Sequence, residues 1–199
     1  MTTAEVDVFS LPVHPWAAMF PMRGDDDLNA MAESIKANGL RMPVVLGMLR
    51  EEGSEPTLCV VDGRNRIAAC KLAGVKPHTI TLNGEDQDAF IADANLERRD
   101  LTKGQKAMLI AMRFGEERRG GRGKTASTNY AESSQLSVRR VQQARAVRDN
   151  CPEMVPQVIE GALGLDEAYT EAQRRRAAQQ TNEARFDVLR KSDPDLAVR

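Results

Sequence analysis

Two clusters of side chains in this sequence could do chemistry, and in both cases the chemistry is binding. The first is Asp62-Gly63-Arg64-Asn65-Arg66, where an apolar, partly β-branched run stops at a glycine and an amphipathic run begins. A strand that feeds a helix through such a turn leaves backbone N–H groups unpaired at the helix start, and the helix dipole adds partial positive charge there. Arg64 and Arg66 would add donors, so a phosphate fits; a purely structural turn carrying two surface arginines fits the same residues. The second cluster spans residues 129–145. Small Ala131 sits where two helices must cross closely, Leu136, Val141 and Ala144 can share a core, and Ser137 is placed to cap the second helix. The exposed face of that helix would carry Val138, Arg139, Arg140, Gln142, Gln143 and Arg145 beside Ser137. Arginine and glutamine can bond base edges or phosphates, so this helix-turn-helix pattern suits a DNA major groove. An ordinary antiparallel helix pair with a solvated basic face is the alternative. Gln135 occupies the turn, where glycine is often favoured for a positive backbone angle.

The other reactive types give less. His14 and His78 have no adjacent nucleophile and read as structural, and no catalytic triad is assigned. Asp62 and Glu97 are the acids nearest the anion turn, with solvated surface the stronger reading for each. Cys59, Cys70 and Cys151 are widely spaced with no Cys-x-x-Cys pair, which predicts reduced, buried thiols and excludes a structural zinc site. With 28 basic and 29 acidic residues there is no overall electrostatic case for a polyanionic partner, so any nucleic-acid site must be local.

These clusters need elements to position them. Residues 1–24 hold an apolar segment broken by prolines, which predicts one short docked strand and no sustained helix. Asp25-Asp26-Asp27 supplies an N-cap and first-turn acids for a helix bearing Leu28, Met31, Ala32 and Ile35, ended by Asn38-Gly39. Residues 43–48 and 57–61 read as strands, 65–72 as a helix closing at Gly74, 78–82 as a strand and 86–95 as a helix. A longer amphipathic helix is expected over 102–119, with Ala107, Leu109, Ile110, Met112 and Phe114 available for a core. The domain plan is an α/β domain at 1–115, a basic Gly-rich linker at 116–125, an all-α helix-turn-helix domain at 126–178 and a polar tail at 179–199 that frays. Arg118, Arg119, Arg122 and Lys124 in the linker serve either phosphate contacts or a solvated loop. No stretch approaches the roughly 20 apolar residues of a membrane span and no secretory leader is present, so a cytoplasmic location without membrane partners is expected.

Three separated blocks carry a resemblance. Ser34-Ile35-Lys36-Ala37-Asn38-Gly39-Leu40-Arg41-Met42-Pro43-Val44-Val45, then Val61-Asp62-Gly63-Arg64-Asn65-Arg66-Ile67-Ala68-Ala69, then Ala94-Asn95-Leu96-Glu97-Arg98-Arg99-Asp100-Leu101-Thr102 resemble, in order and approximate spacing, the N-terminal domain of ParB-like partition proteins. The helix-turn-helix follows in its expected place, and the resemblance covers about residues 8–170. It implies a ParB/sulfiredoxin-like α/β domain with a small mixed sheet, which in many relatives binds CTP with magnesium and closes as a clamp on DNA. Carried over by position, Gly39, Arg41 and Pro43 would lie near base and ribose, Gly63, Arg64, Asn65 and Arg66 would cradle the phosphates, and Asn95 and Arg98 would complete the pocket, Asn95 on the metal side. Double-stranded DNA, a homodimer, a partition ATPase partner and a nucleoid- or plasmid-associated location follow from the same resemblance, with slow CTP hydrolysis optional.

The sequence departs from that pattern at Ala94, where relatives carry a glutamate associated with metal binding, and at Asp62-Gly63-Arg64-Asn65-Arg66, which differs from the familiar Gly-Glu-Arg-Arg block. Sulfiredoxin chemistry is not expected, because no cysteine lies inside the turn. A phosphotransferase or nuclease on the same fold, and a DNA-only regulator with a degenerate pocket, are the competing readings. No segment after the helical domain resembles the dimerisation domain of full-length partition proteins, so DNA binding is the firmer expectation than chromosome segregation.

Overall fold

The structure, a computed structural model, describes the backbone at 6–50, 53–83, 86–96, 100–114, 131–132 and 135–192, with side chains in those ranges as far as 182. The chain divides into two compact units, Met1–Arg99 and Asp100–Arg199.

The first unit is built on a three-stranded mixed sheet. β1 (Val44–Leu49) runs antiparallel to β2 (Thr57–Asp62) and parallel to β3 (Thr79–Thr81), giving the order β2-β1-β3 with a register irregularity between Val45 and Leu46. The prediction of one docked N-terminal strand is met only by a single parallel bridge, Val13 to Val60, held by His14 N–H to Val60 O at 2.9 Å and Val60 N–H to Pro12 O at 2.8 Å. Around it lie a 3-10 turn (Val8–Ser10) and a five-residue helix, α1 (Pro15–Met19). Proline at the first helical position explains that helix, because its missing N–H is one that no helix can pair there.

α2 (Asp25–Asn38) begins one residue earlier than its acids imply: Gly24 is the N-cap, and Asp25, Asp26 and Asp27 all lie in the first turn, where their charge favours the helix dipole. Gly39 stops it at φ +73°, with its N–H on Ile35 O at 2.8 Å. α3 (Arg64–Ala73) packs on α2 through Ala32, Ile35, Ala69 and Cys70, all buried, while Val8, Val44, Leu46 and Val60 form a neighbouring cluster on the sheet. α4 (Gln87–Leu96) completes the unit and contacts β2. Gly47 lets α4 approach, because a Cβ there would collide with the Gln87 side-chain oxygen and stand 2.6 Å from Val61 Cγ2; Gln87 instead donates to Met48 O at 3.0 Å.

The second unit is helical: α5 (Lys103–Arg113), α6 (Val138–Asn150), a 3-10 turn (Pro152–Met154), α7 (Val155–Glu160) and α8 (Leu165–Ser192). α5 ends at Phe114 in extended backbone rather than running on to 119, and it packs on α6 and α7. It therefore belongs to the second unit, and its buried apolar side chains are Ala107, Met108, Leu109, Ile110 and Ala111, with Met112 and Phe114 half-buried. The expected linker 116–125 lies outside the described residues. Thr102 and Gln105 form a capping box at the start of α5, and Gln105, 7% exposed, also donates to Ile159 O at 2.9 Å. The polar tail expected as a solvated helix end is helical as far as Ser192, where the described residues of α8 stop. Among the described residues no helix is long and apolar enough to cross a membrane.

Candidate functional site

The strand-to-helix turn forms as its sequence predicts. β2 ends at Asp62, Gly63 adopts φ +108°, and α3 starts at Arg64 with no side chain capping its first turn. A cleft of about 210 Å³ opens there, lined by Gly63, Arg64, Asn65 and Arg66 together with Ala94 and Asn95 of α4. Two sequence blocks some thirty residues apart thus meet at one surface. Gly39, Arg41 and Pro43 are not among its lining residues, Arg41 being exposed, and Arg98 and Glu97 lie outside the described residues.

Sequence reasoning missed the other wall. Ala17, Phe20, Pro21, Met22 and Arg23, from α1 and the segment after it, line the cleft opposite α3. Arg64 holds that wall: its Nη1 donates to the carbonyls of Ala17 at 2.9 Å, Ala18 at 3.0 Å and Phe20 at 2.9 Å. These are among the carbonyls that a helix leaves unpaired at its C-terminal end. Asn65 Oδ1 accepts the Arg23 N–H at 3.0 Å. Arg66 Nη2 pairs with the Asp62 carboxylate at 2.5 Å, and Arg66 Nε is buried without an acceptor. Asn95 Nδ2 donates to Ile91 O at 3.1 Å, within its own helix.

Magnesium does not fit this donor set as a resident, protein-held ion. Ala94 offers no ligand, Asp62 is spent on Arg66, and among the described residues no three histidine, cysteine or carboxylate side chains are arranged to hold a metal. The three cysteines are buried and free, and burial pushes each thiol above its ordinary value, as expected of inert structural thiols.

In the second unit Ser137 caps α6, accepting the Arg140 N–H on its Oγ at 3.3 Å. Gln135 takes φ +56°, the angle that favours glycine, and Ala131, Leu136, Val141 and Ala144 are buried. Of the segment before Gln135, only Ala131 and Glu132 lie among the described residues, and both are helical. Val138, Arg139 and Gln142 are exposed, whereas Arg140, Gln143 and Arg145 are half-buried. Arg140 forms a two-pronged ion pair with Asp166 at the start of α8, one contact at 3.0 Å, and also reaches Gln143. Arg145 donates to Phe114 O at 3.5 Å and Arg148 to Ala111 O at 2.7 Å, so both serve the C-terminal end of α5.

The hydrogen bond from Arg140 holds the Asp166 carboxyl below its ordinary range; Glu171 is lowered chiefly by Arg175, and Glu153 by a backbone hydrogen bond and then by Arg175. A carboxyl depressed in the folded state stabilises above its unfolded pKa, and that contribution is lost as pH falls through the folded value. The helical unit is therefore expected to lose stability as pH drops below about 4, and Asp166→Asn to flatten that slope. Thermal melts followed by circular dichroism between neutral and acid pH test this; identical acid slopes in the two proteins would refute the pairing. Asp166 and Glu153 are exposed and Glu171 is half-buried, so the slope is expected to be shallow.

An α/β domain with a glycine turn at a cleft, followed by a capped helical domain, is the class these units define. Its fold is ParB-like: the Pnob8-like ParB-N domain superimposes with a TM-score of 0.51 at 16% identity, over 89% of this chain and 81% of that one. Two structures of C-terminally truncated ParB from Caulobacter crescentus also match, with TM-scores below the level that establishes a shared fold. The complex with CTP-γ-S gives 0.32 at 19% identity, over 77% of this chain and 82% of that one. The complex with the centromeric parS site gives 0.37 at 16% identity, over 78% and 92%. No family model and no curated protein matches the sequence.

Proposed function

We propose that this chain is a ParB-like DNA-binding switch, in which an anionic nucleotide, CTP in the first place, occupies the α3 cleft and biases how the helical unit holds double-stranded DNA. The observation that carries the reading is the meeting of Gly63 to Arg66 with Asn95 around one cleft at an open helix N-terminus. Backbone N–H groups there suit phosphate oxygens, and α6 presents Arg139 and Gln142 to solvent as a groove-reading face would. Magnesium would enter carried by the phosphates. Homodimerisation and a partition ATPase partner belong to the same proposal.

One observation favours a second reading. Arg64 and Arg66 already have internal partners, as they would in a DNA-binding regulator whose pocket takes no nucleotide. The phosphotransferase or nuclease reading draws less support, since Asp62, its nearest candidate acid, is tied to Arg66. Calorimetric titration of CTP, with ATP and GTP as controls, with and without magnesium and mixed-sequence duplex DNA, separates the first two. Selective CTP binding that changes DNA affinity is expected; heat from no nucleotide, with DNA binding intact, overturns the switch and leaves the regulator.

A further inference from the structure

We propose that the free edge of β3 is a self-association surface: Thr79-Ile80-Thr81 pairs antiparallel with the same three residues of a second copy of this chain, about a two-fold axis at Ile80. This gives the homodimerisation named above a surface, and it stands apart from the nucleotide and DNA readings because no residue of the cleft or of α6 takes part.

The two edges of the sheet differ. On the β2 side, Val60 gives its N–H to Pro12 O and accepts the His14 N–H, so the N-terminal segment covers that edge. β3 forms the other edge. There Val44 N–H donates to His78 O at 3.0 Å and Leu82 N–H to Leu46 O at 2.9 Å, in a parallel register that sets Val45 beside Ile80. Backbone groups alternate in direction along a strand, so those of Ile80 face β1, whereas the N–H and C=O of Thr79 and Thr81 point away from it. These outward groups meet no partner among the described residues. All three side chains are exposed, Ile80 by 49%. The devices that usually blunt an edge are missing from them, for they include no lysine and no proline and their register to β1 is regular.

A second copy suits this edge because the edge is complementary to itself. With Ile80 opposite its own counterpart, Thr79 of each copy stands opposite Thr81 of the other. Both threonine pairs then exchange two N–H···O bonds, and every outward group is satisfied. Ile80 forms the non-hydrogen-bonded pair between them, the closer kind, so the two half-exposed side chains cover one another. Charge selects the same direction. Lys76 precedes the strand and Asp86 follows it, so antiparallel copies bring unlike ends together where parallel copies would bring like ends together. Three residues make a small interface, and the association is accordingly weak and concentration-dependent.

The experiment is analytical ultracentrifugation of the full chain, without nucleotide or DNA, from about 1 μM to about 1 mM. Wild type is expected to move from the mass of one chain toward that of two as concentration rises. Ile80→Lys and Ile80→Glu, each alone, are expected to weaken association about tenfold or more by setting like charges opposite one another, and an equimolar mixture of the two to restore it. That rescue is peculiar to a two-fold axis at residue 80. Thr81→Pro is expected to weaken association as well, because it removes an outward N–H and leaves the bonds to β1 in place. Trp16, the sole tryptophan and 1% exposed, lies in the same unit, and its unchanged emission verifies that each variant is folded.

Wild type that stays monomeric at every concentration would overturn the proposal, and the cleft and DNA readings would still be decided by their own titrations. Association undiminished in the Ile80 variants would overturn it too, since the copies would then meet elsewhere. Association lost in both Ile80 variants and not restored by mixing them would do the same, because Ile80 would not face its own counterpart.

Discussion

Gly63→Ala is expected to cost the α/β unit about 2–3 kcal/mol and to abolish ligand binding in the cleft with it. Two causes act together. At φ +108° an L-residue is strained whatever the space around it. An added Cβ would also stand 3.1 Å from Arg66 Nε and Nη2 and 3.2 Å from Cγ2 of fully buried Val44. The arginine end can swing away, but only by leaving Asp62, which would place an unpaired carboxylate at the mouth of the cleft. The valine has nowhere to go without disturbing β1. Chemical unfolding followed by Trp16 emission reads the loss in the unit where the glycine lies, and a midpoint equal to wild type would show that the turn tolerates a side chain. Loss of binding at unchanged stability would locate the effect in the cleft alone.

That glycine was legible because it is local. A strand-like run, a glycine and a helix-like run are adjacent in sequence, and each constrains the next. The same holds for Ser137 and Gln135, where a cap and a turn were read from neighbouring residues and the backbone then took the capped and positive-φ forms. The cleft's second wall was not legible. Arg64 meets Ala17, Ala18 and Phe20 across 44–47 residues, and what it meets are backbone carbonyls, which leave no trace in side-chain type. α1 itself was hidden because its prolines read as breaks, although Pro15 at the first helical position is a start. On α6 the sequence pattern gave which residues share a face but not which of them are already engaged: Asp166, Arg140's partner, lies 26 residues away on α8.

That distinction sets the last expectation: Arg139→Ala is expected to weaken binding to duplex DNA, while Arg140→Ala changes stability along with binding and Asp166→Asn strengthens binding. Arg139 is exposed near the capped start of α6 and has no ion pair among the described residues, so nothing is broken when it turns to a base edge or a phosphate. Its loss should cost about 1–3 kcal/mol for a base contact, or lower the salt slope by about one for a phosphate contact. Arg140 must first leave Asp166, and that carboxylate is itself a negative charge beside the proposed DNA-contacting face, where it would oppose an approaching phosphate. Asp166→Asn removes both obstacles, so affinity should rise most at low salt and the salt slope should steepen by about one as Arg140 becomes available. Fluorescence anisotropy with a mixed-sequence duplex across a salt series, beside thermal melts of each variant, distinguishes the three. Arg139→Ala with wild-type affinity at every salt concentration would remove α6 as the DNA-contacting helix. If Asp166→Asn instead weakened binding, the ion pair would be holding α6 in its binding geometry rather than occupying one of its hands.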